Sequence, residues 1–97
     1  MAKLFERIRN LVRDGRYIIG EHASERLAER GILEWQVVVG LAQGELLRER
    51  PRARPNPAVE VQETLPDGTE CKAIWSLLKE TGAAKLVTVH FFDEEWK

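Results

Sequence analysis

The 97-residue sequence predicts an α+β domain with N-terminal helices packed on one face of a mostly antiparallel sheet of four to five strands. Two observations carry this. Apolar residues recur at helical spacing through the first half, and the period changes to two in the second half, where turn signals divide it into hairpins. The length fits one small domain, so residues 1–97 read as a single unit.

Leu4, Phe5, Ile8, Leu11 and Val12 make an amphipathic helix over residues 2–13, ended by Asp14-Gly15. Arg16 to Gly20 is short, β-branched and bounded by glycines, and predicts a strand. Glu21 to Arg30 are good helix formers that stop at Gly31. A third helix is expected from Glu34 to Gln43, with Val37, Val38 and Leu41 inward and Gly44 ending it. Glu45 to Arg50 forms a strand stopped by Pro51, and Pro51 to Pro57 is a loop. Val59 and Val61 alternate with Glu60 and Gln62 as a half-buried strand. Pro66-Asp67-Gly68 is a turn, because Pro presets φ and Gly accepts positive φ. Glu70 to Leu78 and Lys85 to Phe92 complete the strands, with Thr81-Gly82 between them.

Composition excludes several classes. The chain is 43% hydrophobic and 32% charged, typical of a globular domain. No apolar run approaches a spanning helix, and the charged N-terminus lacks a signal-peptide core, so a cytoplasmic protein without membrane attachment is expected. The single cysteine, Cys71, excludes an internal disulfide, and with only His22 and His90 beside it no metal site or cofactor is expected. Net charge is −1, but its distribution is uneven. Residues 1–54 hold 11 basic and 8 acidic side chains, including all ten arginines, against 4 basic and 8 acidic in residues 55–97. Arginine suits bidentate phosphate recognition; a solvated surface is the plainer reading.

The segment from Glu21 to Ile32, EHASERLAERGI, holds the residues best suited to chemistry. His22 and Arg26 share a helix face at i, i+4, and Arg30 follows one turn later. Ala23 and Leu27 form the adjoining buried stripe, so the basic triplet borders the core. A histidine for proton transfer beside guanidiniums for a phosphorane is what phosphodiester cleavage needs without a metal. A surface ion pair between Arg26 and Glu29, with His22 an ordinary first-turn residue, is the reading that spacing alone favours. On the last strand, alternation puts Leu86, Thr88 and His90 on one face and Val87, Val89 and Phe91 on the other. If helices cover the valine face, Thr88 and His90 lie on the open face. Arg48, Arg50, Arg52 and Arg54 alternate into the proline loop and suit a phosphate backbone, although charge protecting an edge strand explains them more simply. Trp35, Trp75 and Trp96 are expected in the core or at a partner contact, and Cys71 in a core strand.

HASERLAERGI resembles the H-A-x-x-R-x-x-E-R-G-I signature of a widespread bacterial family named only as a domain of unknown function. That family is grouped with RelE/ParE-like toxins and the wider barnase–EndoU–colicin–RelE ribonuclease fold. The resemblance covers about residues 16–92, extending through Gly44-Glu45 and Val87-Thr88-Val89, with residues 1–15 as an additional N-terminal helix. Two positions depart from it. Gly20 stands where the family often has Ser, and His90 where its last strand commonly closes on Tyr.

The resemblance implies a RelE/ParE-like fold and a metal-independent endoribonuclease, the toxin of a toxin–antitoxin system. His22 would be general acid or base, with His90 as second proton-transfer group and Thr88 positioning. Arg26 and Arg30 would hold the phosphate; Arg48 and Arg50, offered by their alternation and not by the resemblance, would lie along the RNA. RNA and a cognate antitoxin are the implied partners, and a homodimer is left open. The near-neutral charge and the Tyr-to-His difference favour an alternative, a non-catalytic partner-binding or regulatory module on the same fold. A helix-turn-helix regulator is a third reading, but the basic residues cluster on the earlier helix.

Overall fold

The computed structural model describes residues 3–92; Trp96 lies outside them. The elements run α1 (Lys3–Arg13), β1 (Tyr17–Ile19), α2 (Glu21–Arg30), α3 (Glu34–Gly40), a 3-10 turn (Leu41–Gln43), β2 (Glu45–Arg50), β3 (Ala58–Thr64), β4 (Glu70–Leu77) and β5 (Ala84–Phe91). The sheet order is β1-β5-β4-β3-β2. Every pair is antiparallel except β1 with β5, which is parallel. The α+β architecture is therefore the expected one.

Each helix is held by a local rule and a tertiary contact. α1 buries Phe5, Ile8 and Val12. One of its unsatisfied first-turn amides, Phe5 N–H, donates to the Glu49 carboxylate of β2 at 2.9 Å, a favourable charge for a helix N-terminus. α2 starts where the parallel pairing stops, with Gly20 N–H donating to the Leu86 carbonyl at 2.9 Å. It ends at Gly31, whose φ of 67° only glycine adopts freely. There Gly31 and Ile32 N–H groups donate back to Ala28 and Leu27 at 3.3 and 2.9 Å. α3 stops at Gly40, short of the expected Gln43, and Leu41–Gln43 tighten into the 3-10 turn. Three consecutive valines and a glycine propagate a helix poorly, so its last turn is the weakest.

The helices cover one face of the sheet, the core face. It is built from Val59, Val61 and Glu63 of β3, Cys71, Ala73 and Trp75 of β4, and Ala84, Leu86 and Val89 of β5. The expected alternation on β5 needs correction. Pairing passes from Ile74↔Thr88 to Trp75↔Leu86, leaving Val87 without a partner in a β-bulge. One extra residue shifts the phase of the strand by one. Leu86 therefore belongs to the core with Val89, and Val87 turns to the open face, where it lines a cavity with Ile74 and Ser76. Thr88 and His90 do project from the open face, paired with Ile74 and Lys72.

The core also contains a carboxyl group. Glu63 is fully buried, and the Trp75 indole N–H donates to its Oε2 at 3.2 Å. Burial disfavours the charged form and pushes Glu63 up to about 8, despite the indole bond acting the other way. Cys71 lies directly opposite Glu63 in the β3–β4 register. Burial, with the Glu63 charge adding, pushes its thiol up to about 12, so it is an inert core residue at neutral pH.

Glu63 makes stability depend on pH. The unfolded carboxyl loses its proton near 4.5 and the folded one near 8, so the folded state binds more protons between those values. The stabilisation is complete below about pH 4.5, is lost as pH rises, and levels off above about 8. The expected slope is at most about 1.4 kcal/mol per pH unit. Denaturant unfolding of wild type and Glu63→Gln at several pH values checks this. The amide keeps an acceptor for the indole, so the variant should lose most of the slope; an equal slope in both proteins would acquit Glu63.

Candidate functional site

The first cluster is a ridge along α2. Ala23 and Leu27 are buried beneath this helix, which turns His22, Arg26 and Arg30 along its flank. Arg26 Nε donates to His22 Nε2 at 3.5 Å, so that nitrogen is an acceptor in this contact. The distance is at the long limit for a hydrogen bond, so the contact is easily exchanged for another partner. Glu29 Oε1 accepts from Arg30 Nη1 at 3.2 Å and forms an ion pair with Arg26 Nη1 at 3.7 Å. The Arg26–Glu29 ion pair expected from spacing is thus present together with the His22–Arg26 contact. The Arg30 side chain is only 10% exposed, and its guanidinium lies over the Phe91 ring, 6.0 Å from the centroid.

The second cluster lies on the open face. Arg48 and Arg50 of the edge strand β2 pair with Glu60 and Ala58 of β3. Glu60 bridges outward to Arg50 at 3.5 Å and inward to Lys72 at 3.6 Å. Lys72 is opposite His90, so polar side chains cross four strands from Arg50 to His90. Thr88 is 7% exposed, and its Oγ1 is buried without a hydrogen-bond partner among the described residues. Glu60 and Lys72 were not singled out from the sequence. Their signal was the hairpin alternation itself, which sets them opposite the valines and alanines of the core face.

The two clusters are separate. His22 is at the N-terminal end of α2, beside the Gly20–Leu86 contact, whereas Arg30 reaches Phe91, the neighbour of His90. The histidines therefore stand toward opposite ends of α2, one on the helix layer and one on the open face. The structure brings His22 together with Arg26 and joins Arg50 to Lys72 through Glu60. It does not set both imidazoles around one phosphate. Gly20 has its own reason: a Cβ there would come within 2.9 Å of the Leu86 carbonyl oxygen and 2.7 Å of Lys85 Cε. The Lys85 stem occupies the space that a serine side chain would need. Among the described residues, no group of three or more His, Cys, Asp or Glu is placed to hold a metal ion.

These features define a small α+β domain with a basic helix ridge over one sheet face and a charged opposite face. Residues 19–91 match the family described as Domain of unknown function (DUF4258), and the chain belongs to that family. No curated protein and no solved structure matches it. Among the described residues, no helix is long and apolar enough to cross a membrane.

The ridge should be replaceable without loss of the fold. His22 is exposed, and the Arg26–Glu29 pair joins side chains 34% and 64% exposed. Such pairs contribute under about 1 kcal/mol. His22→Ala and Arg26→Ala should each change the unfolding free energy by less than that, as measured in denaturant. A loss of several kcal/mol on either would make the ridge a structural feature.

Proposed function

We propose that the protein is a metal-independent endoribonuclease of RelE/ParE-like kind, the toxin of a toxin–antitoxin pair. The observation that carries this reading is the His22–Arg26 contact at 3.5 Å, with the Arg30 guanidinium one turn further along α2. His22 takes the proton of an RNA 2′-hydroxyl, and the 2′-oxygen attacks the adjacent phosphorus. Arg26 stabilises the charge on the non-bridging oxygens, and Arg30, toward the other end of α2, holds the strand. The bond to the 5′-oxygen breaks, and water at this exposed ridge supplies that oxygen's proton. The resulting hydroxide takes the proton held by His22. The products are a 2′,3′-cyclic phosphate and a 5′-hydroxyl. On this reading the open-face residues Thr88, His90, Arg48 and Arg50 hold the strand instead of reacting with it.

Induced expression in a bacterium should arrest growth and fragment RNA, and His22→Ala or Arg26→Ala should abolish both. Purified protein should keep cleaving in excess chelator. Arrest that survives both substitutions, or cleavage that chelator stops and Mg²⁺ restores, would overturn the assignment.

One observation favours the non-catalytic alternative. Trp35 and Val39 of α3, with Leu33 just before it, are 54%, 61% and 57% exposed and have no covering element among the described residues. A partner protein is the natural cover, either a regulator's target or the antitoxin. Trp35→Asp separates the two roles. If the protein is a toxin, the variant should remain toxic but escape neutralisation by a small protein encoded beside it. A wild type without ribonuclease activity that binds such a partner through Trp35 would establish the module reading instead.

A further inference from the structure

The open face carries a cavity that the ridge chemistry does not use. Its volume is about 340 Å³, and it lies where the 51–57 connection folds back beside the sheet. That is at the small end of ligand sites, about 300–1,000 Å³, and gives room for one compact molecule. The floor is apolar, made by Ala58, Ile74 and Val87 from three adjacent strands. Val87 reaches it only because the bulge on β5 turns it away from the core.

The lining is cationic as well. Arg50, Arg54 and Lys85 come to it from β2, the connection and β5, and no carboxylate lines it. Arg50 shares the Glu60 carboxylate with Lys72. Arg54 and Lys85 have no ion-pair partner among the described residues. Edge-strand protection accounts for Arg48 and Arg50 but not for Lys85, which belongs to the lining from β5, on the far side of the sheet.

We infer that this cavity is a nucleotide site, in which a flat base rests on Ile74 and Val87 while its phosphate is held by Arg50, Arg54 and Lys85. An inorganic anion leaves the apolar floor unused, and an uncharged ring leaves Arg54 and Lys85 unmatched. A phosphorylated ring compound satisfies both. Two sources share that chemistry, a free mononucleotide and one nucleotide of an RNA strand. The inference is independent of cleavage, since such a site serves a binding module equally well.

Calorimetric titration with AMP, adenosine, inorganic phosphate and a non-cleavable five-nucleotide 2′-O-methyl RNA tests it. AMP or the RNA should bind at least about tenfold more tightly than adenosine or phosphate. Arg54→Ala and Lys85→Ala should each weaken that binding about tenfold or more, as expected for a charge-assisted hydrogen bond, and Arg7→Ala, an exposed arginine of α1 outside the cavity lining, should not. Arg54 is exposed in the connection, so its variant keeps the fold, and Arg54→Lys should restore part of the affinity. AMP binding assigns a free nucleotide; RNA binding without AMP binding assigns the strand. Binding by neither, or binding unchanged in the Arg54→Ala/Lys85→Ala double variant, overturns the inference. AMP binding by a protein that cleaves no RNA leaves this inference standing while the cleavage reading falls, so the two failures are distinguishable.

Discussion

The fold turns on where the Trp75 indole puts its N–H. Trp75 is the largest fully buried side chain among the described residues, on the central strand β4 between β3 and β5. Its ring meets the edge of Tyr17 on β1 at 6.4 Å between centroids, so it joins the first strand to the hairpins formed much later in the chain. A buried donor without an acceptor is costly, and Glu63 supplies the acceptor from β3. The acceptor is itself expensive to bury as an ion, which is why it holds its proton at neutral pH. α3 closes over it: a Cβ at Gly40 would come within 2.8 Å of Glu63 Oε1. The size of Trp75, the protonation of Glu63 and the absence of a side chain at residue 40 are one coupled constraint.

The β-bulge at Val87 does comparable work on the other face. Without it, regular alternation would have kept Val87 in phase with Val89, beneath the helices. With it, β5 presents Leu86 and Val89 inward and Val87, Thr88 and His90 outward. The same slip provides part of an apolar floor among cations. Core packing and surface chemistry on β5 are therefore set by a single extra residue.

Much of the architecture was legible in the sequence, because it is written in local rules. Gly31 ends α2 through a positive φ, the prolines interrupt the chain after β2, and alternation marks Val59 and Val61. The bulge was not legible, since it depends on how β5 registers against β4, and strict alternation therefore misplaced Leu86. Glu63 was in view, two residues after Val61 on the buried period, yet a charged side chain is ordinarily assigned to solvent. Its acceptor role depends on an indole twelve residues away. The ridge of His22, Arg26 and Arg30 followed from helical spacing alone, and so did the Arg26–Glu29 pair. That His22 and His90 lie in different layers did not, because α2 and β5 are separated by the whole hairpin region.

Charge is distributed so that a near-neutral chain still presents a locally cationic surface. The formal net charge of −1 counts Glu63 as ionised. With Glu63 protonated at pH 7, the sum is −1 + 1 = 0. The field at any one surface is more local, because salt screens exposed charges beyond about 8 Å at physiological ionic strength. Asp67 and Glu70 lie at the β3–β4 turn, whereas Arg50, Arg54 and Lys85 gather at the other end of those strands. Thr64 pairs with Glu70, and Ala58 with Ser76, six residues apart along β3. At about 3.3 Å per residue that is roughly 20 Å, more than two screening lengths. The sheet holds its acidic turn out of range of its cationic end, and the arginine-rich first half of the sequence becomes a local field that the net charge conceals.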